Sequence, residues 1–285
     1  MSRVHLVTQA YGKEEIRTEA LYALWSALAW RGDLPLDVHV YTDEAAPFAA
    51  LDRRADVRVL SAEEIRAWRG PHDFIHRVKA EMIRDMVRRF PREKLAYVDA
   101  DVVFTAPLAE LFERIGPGRS VLHLREYSVA THDSAQMRKF RAHMGALSFR
   151  GQPLDLSRDM WNAGVVGMDP SVFPIVDEWM EWIDAIYPHY ERGLVEQYGI
   201  CRLLQREGTV APTDDLVLHY WFQKDEYVAA IRRELAALSA LPFEDALARL
   251  RESPIRLPRR LQRRTLRDRL QHHPRLRRLL FWDRG

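Results

Sequence analysis

Residues 94–107, KLAYVDADVVFTAP, constrain this chain more than any other stretch. Residues 95–98 are short, apolar and β-prone, so they read as a buried strand. That strand runs into two aspartates, Asp99 and Asp101, and a second apolar run follows at 102–104. Like charges this close repel, and burial raises the cost. A bound divalent cation relieves both, because hard cations take carboxylate oxygens. The i, i+2 spacing puts both side chains on one face if the strand continues.

The rest of the chain reads as strands alternating with helices. Strands are expected at 4–8, 37–42 and 57–60, with helices over 14–31 and 74–90. Ser61 with Glu64 forms a helix-start signature between them. Beyond the D-A-D strand, further strands are expected at 120–124, 163–168 and 216–219. Helices are expected at 108–115, 133–144, 172–187 and 195–206. This rhythm predicts an α/β fold with a mixed, mostly parallel sheet flanked by helices. From Asp225 onward the pattern is helical, which divides the chain into a catalytic domain, 1–224, and a helical C-terminal extension, 225–285.

Composition narrows the function. With 285 residues the chain can bury a sizeable core. A net charge of only +2 argues against nucleic acid as a partner. The single cysteine, Cys201, excludes an intrachain disulfide and a cysteine-based zinc cluster. The N-terminus lacks the apolar region of a signal peptide, and no run is long enough to span a bilayer, so the cytoplasm is the default compartment. Residues 255–285 are rich in arginine and leucine and end in Phe281 and Trp282. A basic amphipathic segment of this kind fits an anionic membrane surface, here the inner face, or a partner protein.

With the D-A-D strand, the first strand and W-N-A-G-V-V-G (161–167) placed, the chain resembles nucleotide-sugar glycosyltransferases of the GT-A (Rossmann-like) fold. The family 8 type is the nearest match in motif order, over roughly the first three-quarters of the chain. The resemblance implies a base-gripping strand end at Thr8, Gln9 and Tyr11. It implies basic donor contacts from Arg77 and Lys79, and metal ligands Asp99, Asp101 and His219, with Asp99 also reaching the ribose. Asn162 and Gly164 would face the sugar. Glu196 and Gln197 would face the sugar or the acceptor, with Glu196 orienting an acceptor hydroxyl or acting as base. The family often continues its histidine as H-x-x-G-x-x-K. This chain has His219-Tyr220-Trp221-Phe222-Gln223-Lys224, without the glycine and with the lysine one position early.

The implied chemistry is transfer of a sugar, with retention favoured, from a UDP-linked or other nucleotide diphosphate sugar donor. The acceptor would be a glycan or lipid-linked molecule in bacterial glycan assembly, and Mn²⁺ or Mg²⁺ would assist the leaving diphosphate. Residue by residue, blander roles stay open. Asn162 suits a turn, Glu196 suits a helix N-terminus, and Arg77 and Lys79 suit a solvated helix face. Two rival readings also stand. LAYVDADVV fits the first motif of haloacid-dehalogenase-like phosphatases, although the G-D-x-x-x-D match at Gly32, Asp33 and Asp37 precedes it instead of following. A non-catalytic nucleotide- or glycan-binding module is the other.

Overall fold

The computed structural model describes residues 3–257. It divides into two units, Met1–Ile255 and Arg256–Gly285. The basic, leucine-rich segment after residue 257 lies outside the described residues.

The chain opens with β1 (Val4–Ala10), α1 (Glu14–Ala29), β2 (Leu36–Thr42) and β3 (Asp56–Val59). Helices α2 (Ala62–Trp68) and α3 (Arg77–Arg89) then lead into β4 (Lys94–Val98). The expected capping box starts α2: Glu64 N donates to Ser61 Oγ at 3.1 Å, and Ser61 N donates to Glu64 Oε2 at 2.8 Å. Helix α3 begins three residues later than its apolar pattern suggests, because Asp73 adopts φ +48° in a turn before it.

Beyond β4 come β5 (Val102–Phe104), α4 (Leu108–Glu113), β6 (Arg119–Ser128) and α5 (Ala135–Met144). A two-residue hairpin, β7 (Ser148–Phe149) and β8 (Gln152–Pro153), precedes β9 (Asp159–Met168). The chain continues through α6 (Ile175–Ile186), α7 (Leu194–Glu207), β10 (Thr209–Ala211) and β11 (Val217–His219). It then enters α8 (Lys224–Leu238) and α9 (Phe243–Glu252).

Seven strands form one sheet in the order β3-β2-β1-β4-β9-β6-β10. Only β9 runs against its neighbours; the β1–β2, β2–β3, β1–β4 and β6–β10 ladders are parallel. The sheet is therefore mixed and mostly parallel, as the alternating pattern predicts. From β1 the chain steps outward to β2 and β3, then returns to place β4 on the other side of β1. That reversal is a topological switch point, and the crevice beyond the strand ends there is where open α/β sheets bind ligands.

Helices cover both faces. On one, α1 packs between β1 and β5 below and α8 and α9 above, so residues 22–29 are buried without a break. On the other, α3 and α7 lie on β4 and β9 with α6 between them. The fully buried Trp179 and Trp182 of α6 donate to Glu196 O and Val195 O, each at 2.9 Å. Gly199 of α7 lets the helices close: a Cβ there would lie 2.5 Å from Trp182 Cδ1. The two indoles thus set the height of the first turn of α7 above the sheet.

Candidate functional site

The D-A-D run does not continue β4. The backbone leaves the large sheet at Asp99, whose N–H still donates to Gly164 O of β9 at 2.8 Å. Three residues later it enters β5, which pairs with β11 in a separate two-stranded ribbon. The expectation of one continuous strand face is corrected here. The two carboxylates converge because a bend turns both toward the ribbon. Val102 pairs with His219 across it, and Tyr220 N donates to Asp101 O at 3.1 Å. This brings His219 beside both acids, with Nε2 3.2 Å from Asp101 Oδ1 and 3.9 Å from Asp99 Oδ2.

Among the described residues, Asp99, Asp101 and His219 form the group that can hold a metal ion, with ligand atoms all within 4.8 Å of one another. Its second layer settles the histidine tautomer. Gly164 N donates to Asn162 Oδ1 at 2.9 Å, which identifies that atom as the oxygen. The same oxygen lies 2.9 Å from His219 Nδ1, so Nδ1 carries a proton. In the neutral ring, Nε2 then presents a lone pair to two carboxylates. A proton on Nε2 or a cation among the three groups relieves that repulsion, and an N,O,O donor set backed by a side-chain amide suits a divalent metal. Gly164 makes the approach possible, since a Cβ there would lie 2.3 Å from His219 Cε1. His123 lies edge-on beneath His219, and burial with His219 nearby lowers its pKa to about 4.

Two lysines flank the acids. Lys79 is buried and donates to Ala163 O at 2.8 Å. It stands 3.7 Å from Asp99 Oδ1 and 3.4 Å from Glu196 Oε1. Burial works against its charge, but Asp99 and Glu196 outweigh it and raise the pKa. Lys224, at the start of α8, reaches Asp101 Oδ2 at 3.0 Å. Burial opposes ionisation of Asp101, yet His219 and Lys224 hold its carboxyl well below the ordinary range. Tyr97 donates to Asp99 Oδ1 at 2.5 Å.

No family model matches the sequence, and no curated protein matches it. Among solved structures it is similar to mouse xyloside xylosyltransferase 1 in its apo form. The TM-score is 0.49 at 16% identity, covering 81% of this chain and 93% of that one.

The other expected residues fall into two groups. Thr8, Gln9 and Tyr11 close β1 beside the end of β4, with Thr8 in register with Val98. Thr8 Oγ1 and Gln9 Oε1 are buried without a hydrogen-bond partner among the described residues. Tyr11 donates to Ile75 O at 3.4 Å, and burial pushes its phenol up to about 12. Glu196 is buried across from Asp99; burial raises its carboxyl pKa against the pull of Lys79 and His76. Gln197 is engaged by the fold, donating to Trp161 O at 2.8 Å and Glu126 Oε2 at 3.1 Å.

Arg77 is not brought to this group. It forms a two-point ion pair with Asp184 of α6 at 2.7 and 3.0 Å, and also binds Trp68 O and Glu81. Its donors are used in joining α3 to α6. Conversely, the structure adds two acids that carry no motif. Glu126 of β6 accepts from both Asn162 and Gln197. Glu19 of α1 is 2% exposed and lies 3.9 Å from Lys224. Each is a single acid in an ordinary strand or helix pattern, so no spacing marks it.

Proposed function

We propose that this chain is a metal-dependent glycosyltransferase of the GT-A type. It would move a sugar from a nucleotide diphosphate sugar, UDP-linked by family habit, to a glycan or lipid-linked acceptor. The observation that carries this reading is the meeting of Asp99, Asp101 and His219 at the switch point of a mostly parallel sheet, with His219 Nε2 turned onto both carboxylates. These three residues would hold Mn²⁺ or Mg²⁺, which when bound neutralises charge developing on a leaving diphosphate.

The chain's own residues supply the remainder. The end of β1 offers Thr8, Gln9 and Tyr11 as a lip for a nucleoside, where Thr8 Oγ1 and Gln9 Oε1 have no hydrogen-bond partner among the described residues. Lys79 fixes Asp99 and Glu196 from below through one buried ammonium. Glu196 is buried with its Oε1 3.4 Å from the Lys79 ammonium, which answers its charge from one side. Asn162 keeps the imidazole oriented, and Glu126 in turn accepts from Asn162 and Gln197. Retention of configuration, placement at the inner face of a bacterial membrane and docking through the basic segment after residue 255 complete the proposal. The phosphatase alternative gains nothing from the fold, which puts the D-A-D pair after the fourth strand of the chain.

A thermal-shift screen of nucleotide sugars with and without Mn²⁺ tests the reading, because a ligand that binds only the folded state raises its stability. The expected result is a shift that needs Mn²⁺ and disappears in Asp101→Asn. Hydrolysis of an aryl phosphate without any nucleotide-sugar shift would overturn it. Sedimentation with anionic liposomes, with and without the segment after residue 255, tests the membrane element; equal partitioning counts against it.

A further inference from the structure

Lys224 is placed unlike any other cation near the site. Its Nζ lies 3.0 Å from Asp101 Oδ2, the oxygen that His219 leaves open. The lysine is half-exposed, on a side chain long enough to swing. Behind it, on α1, stands Glu19, which is 2% exposed and has its Oε2 3.9 Å from the same ammonium. The buried Tyr220 hydroxyl also faces the Glu19 carboxyl. A carboxylate buried in a helix face is costly unless a cation answers it, and Lys224 is the cation within reach. The ammonium therefore stands between two acids, closely engaged with one and loosely with the other.

We infer that Lys224 is a resident counter-ion for the metal site: it holds the open oxygen of Asp101 until a divalent cation arrives, then transfers to Glu19. This rests on the metal-site reading above and deepens it. The exchange moves one ammonium from one carboxylate to another and forms no covalent bond. An ammonium and a divalent ion on one carboxylate repel each other, so metal entry weakens the Lys224–Asp101 pair. Glu19 lowers the cost of that displacement by giving the ammonium a second partner on the far side from the metal. The departure from H-x-x-G-x-x-K fits this placement. With its lysine at the first position of α8, directly after a turn, the chain delivers Nζ to the aspartate itself.

The test measures Mn²⁺ affinity directly, by calorimetry or by the electron-spin signal of free Mn²⁺, in the full chain at pH 8, where Glu19 has released its proton. Lys224→Met should tighten Mn²⁺ binding about three- to tenfold, because no ion pair must first be broken. Lys224→Arg, which keeps the charge, should stay near the parent value. Glu19→Gln should weaken binding when Lys224 is present and have little effect in the Lys224→Met background. That contrast separates relocation of the lysine from a general loss of negative charge. Unchanged or weaker affinity in Lys224→Met, or an equal effect of Glu19→Gln in both backgrounds, overturns the inference while leaving the metal site standing. Absence of Mn²⁺ binding in the parent and in every variant overturns both. Circular dichroism and a urea melt of each variant exclude misfolding as the cause.

Discussion

His219 Nδ1 donates to Asn162 Oδ1 across 2.9 Å, and this one bond decides which ring nitrogen faces Asp99 and Asp101. The oxygen is itself pinned by Gly164 N, so backbone, amide, imidazole and carboxylates form a single chain of orientation. Partners that fix a ligating histidine in this way matter nearly as much as the ligand itself.

Asn162→Ala should therefore weaken Mn²⁺ binding about 10–100-fold although it removes no ligand. Calorimetric titration of the variant checks this. Asn162→Asp, which keeps an acceptor for Nδ1, should lose much less.

Gly164→Ala would bring a methyl group to 2.3 Å from His219 Cε1. Either the ring or β9 must move, at a cost of roughly 1–3 kcal/mol. A urea melt should show that loss, and Mn²⁺ affinity should fall with it. Full affinity at reduced stability would mean that the backbone, not the imidazole, gives way.

Lys79→Met removes the cation that faces Asp99 and the buried Glu196 together. Breaking a buried pair by deleting one partner costs roughly 3–5 kcal/mol, because a charge is left unanswered. Chemical denaturation should register it. Adding Glu196→Gln to Lys79→Met should restore part of the loss.

Glu19 predicts a pH effect of definite sign. Burial pushes its carboxyl up to about 7 from 4.5, so the folded chain keeps a proton that the unfolded chain has released between those values. Stability contributed by that proton is present at the acid end and is lost as pH rises toward 7. Denaturation of the parent and of Glu19→Gln from pH 4 to 8 checks this. The variant should gain on the parent as pH rises through the window, and a constant difference would rule the effect out.

Much of this was readable from residue order. Alternating apolar runs locate most strands and helices, because period and burial are local properties. The D-A-D acids, Asn162, Glu196 and the late histidine also meet in the fold. What was not readable depends on partners far along the chain. Arg77 looks like any helix cation until Asp184, 107 residues on, claims it. β9 begins at Asp159, earlier than its apolar stretch suggests, because Arg125 and Gln205 satisfy its polar start. The bend at Asp99 follows from β11 pairing with β5, which no local pattern encodes. Glu19 and Glu126 become notable only once Lys224 and Gln197 stand beside them.

The bend has a mechanical side as well. Asp99 is anchored to the large sheet through Gly164, whereas Asp101 and His219 hang on the β5–β11 ribbon. An ion bound by all three would act as a rivet through a seam between two sheets. Its arrival would be felt as stiffening along the ribbon and, through the Tyr220 turn, at the root of α8.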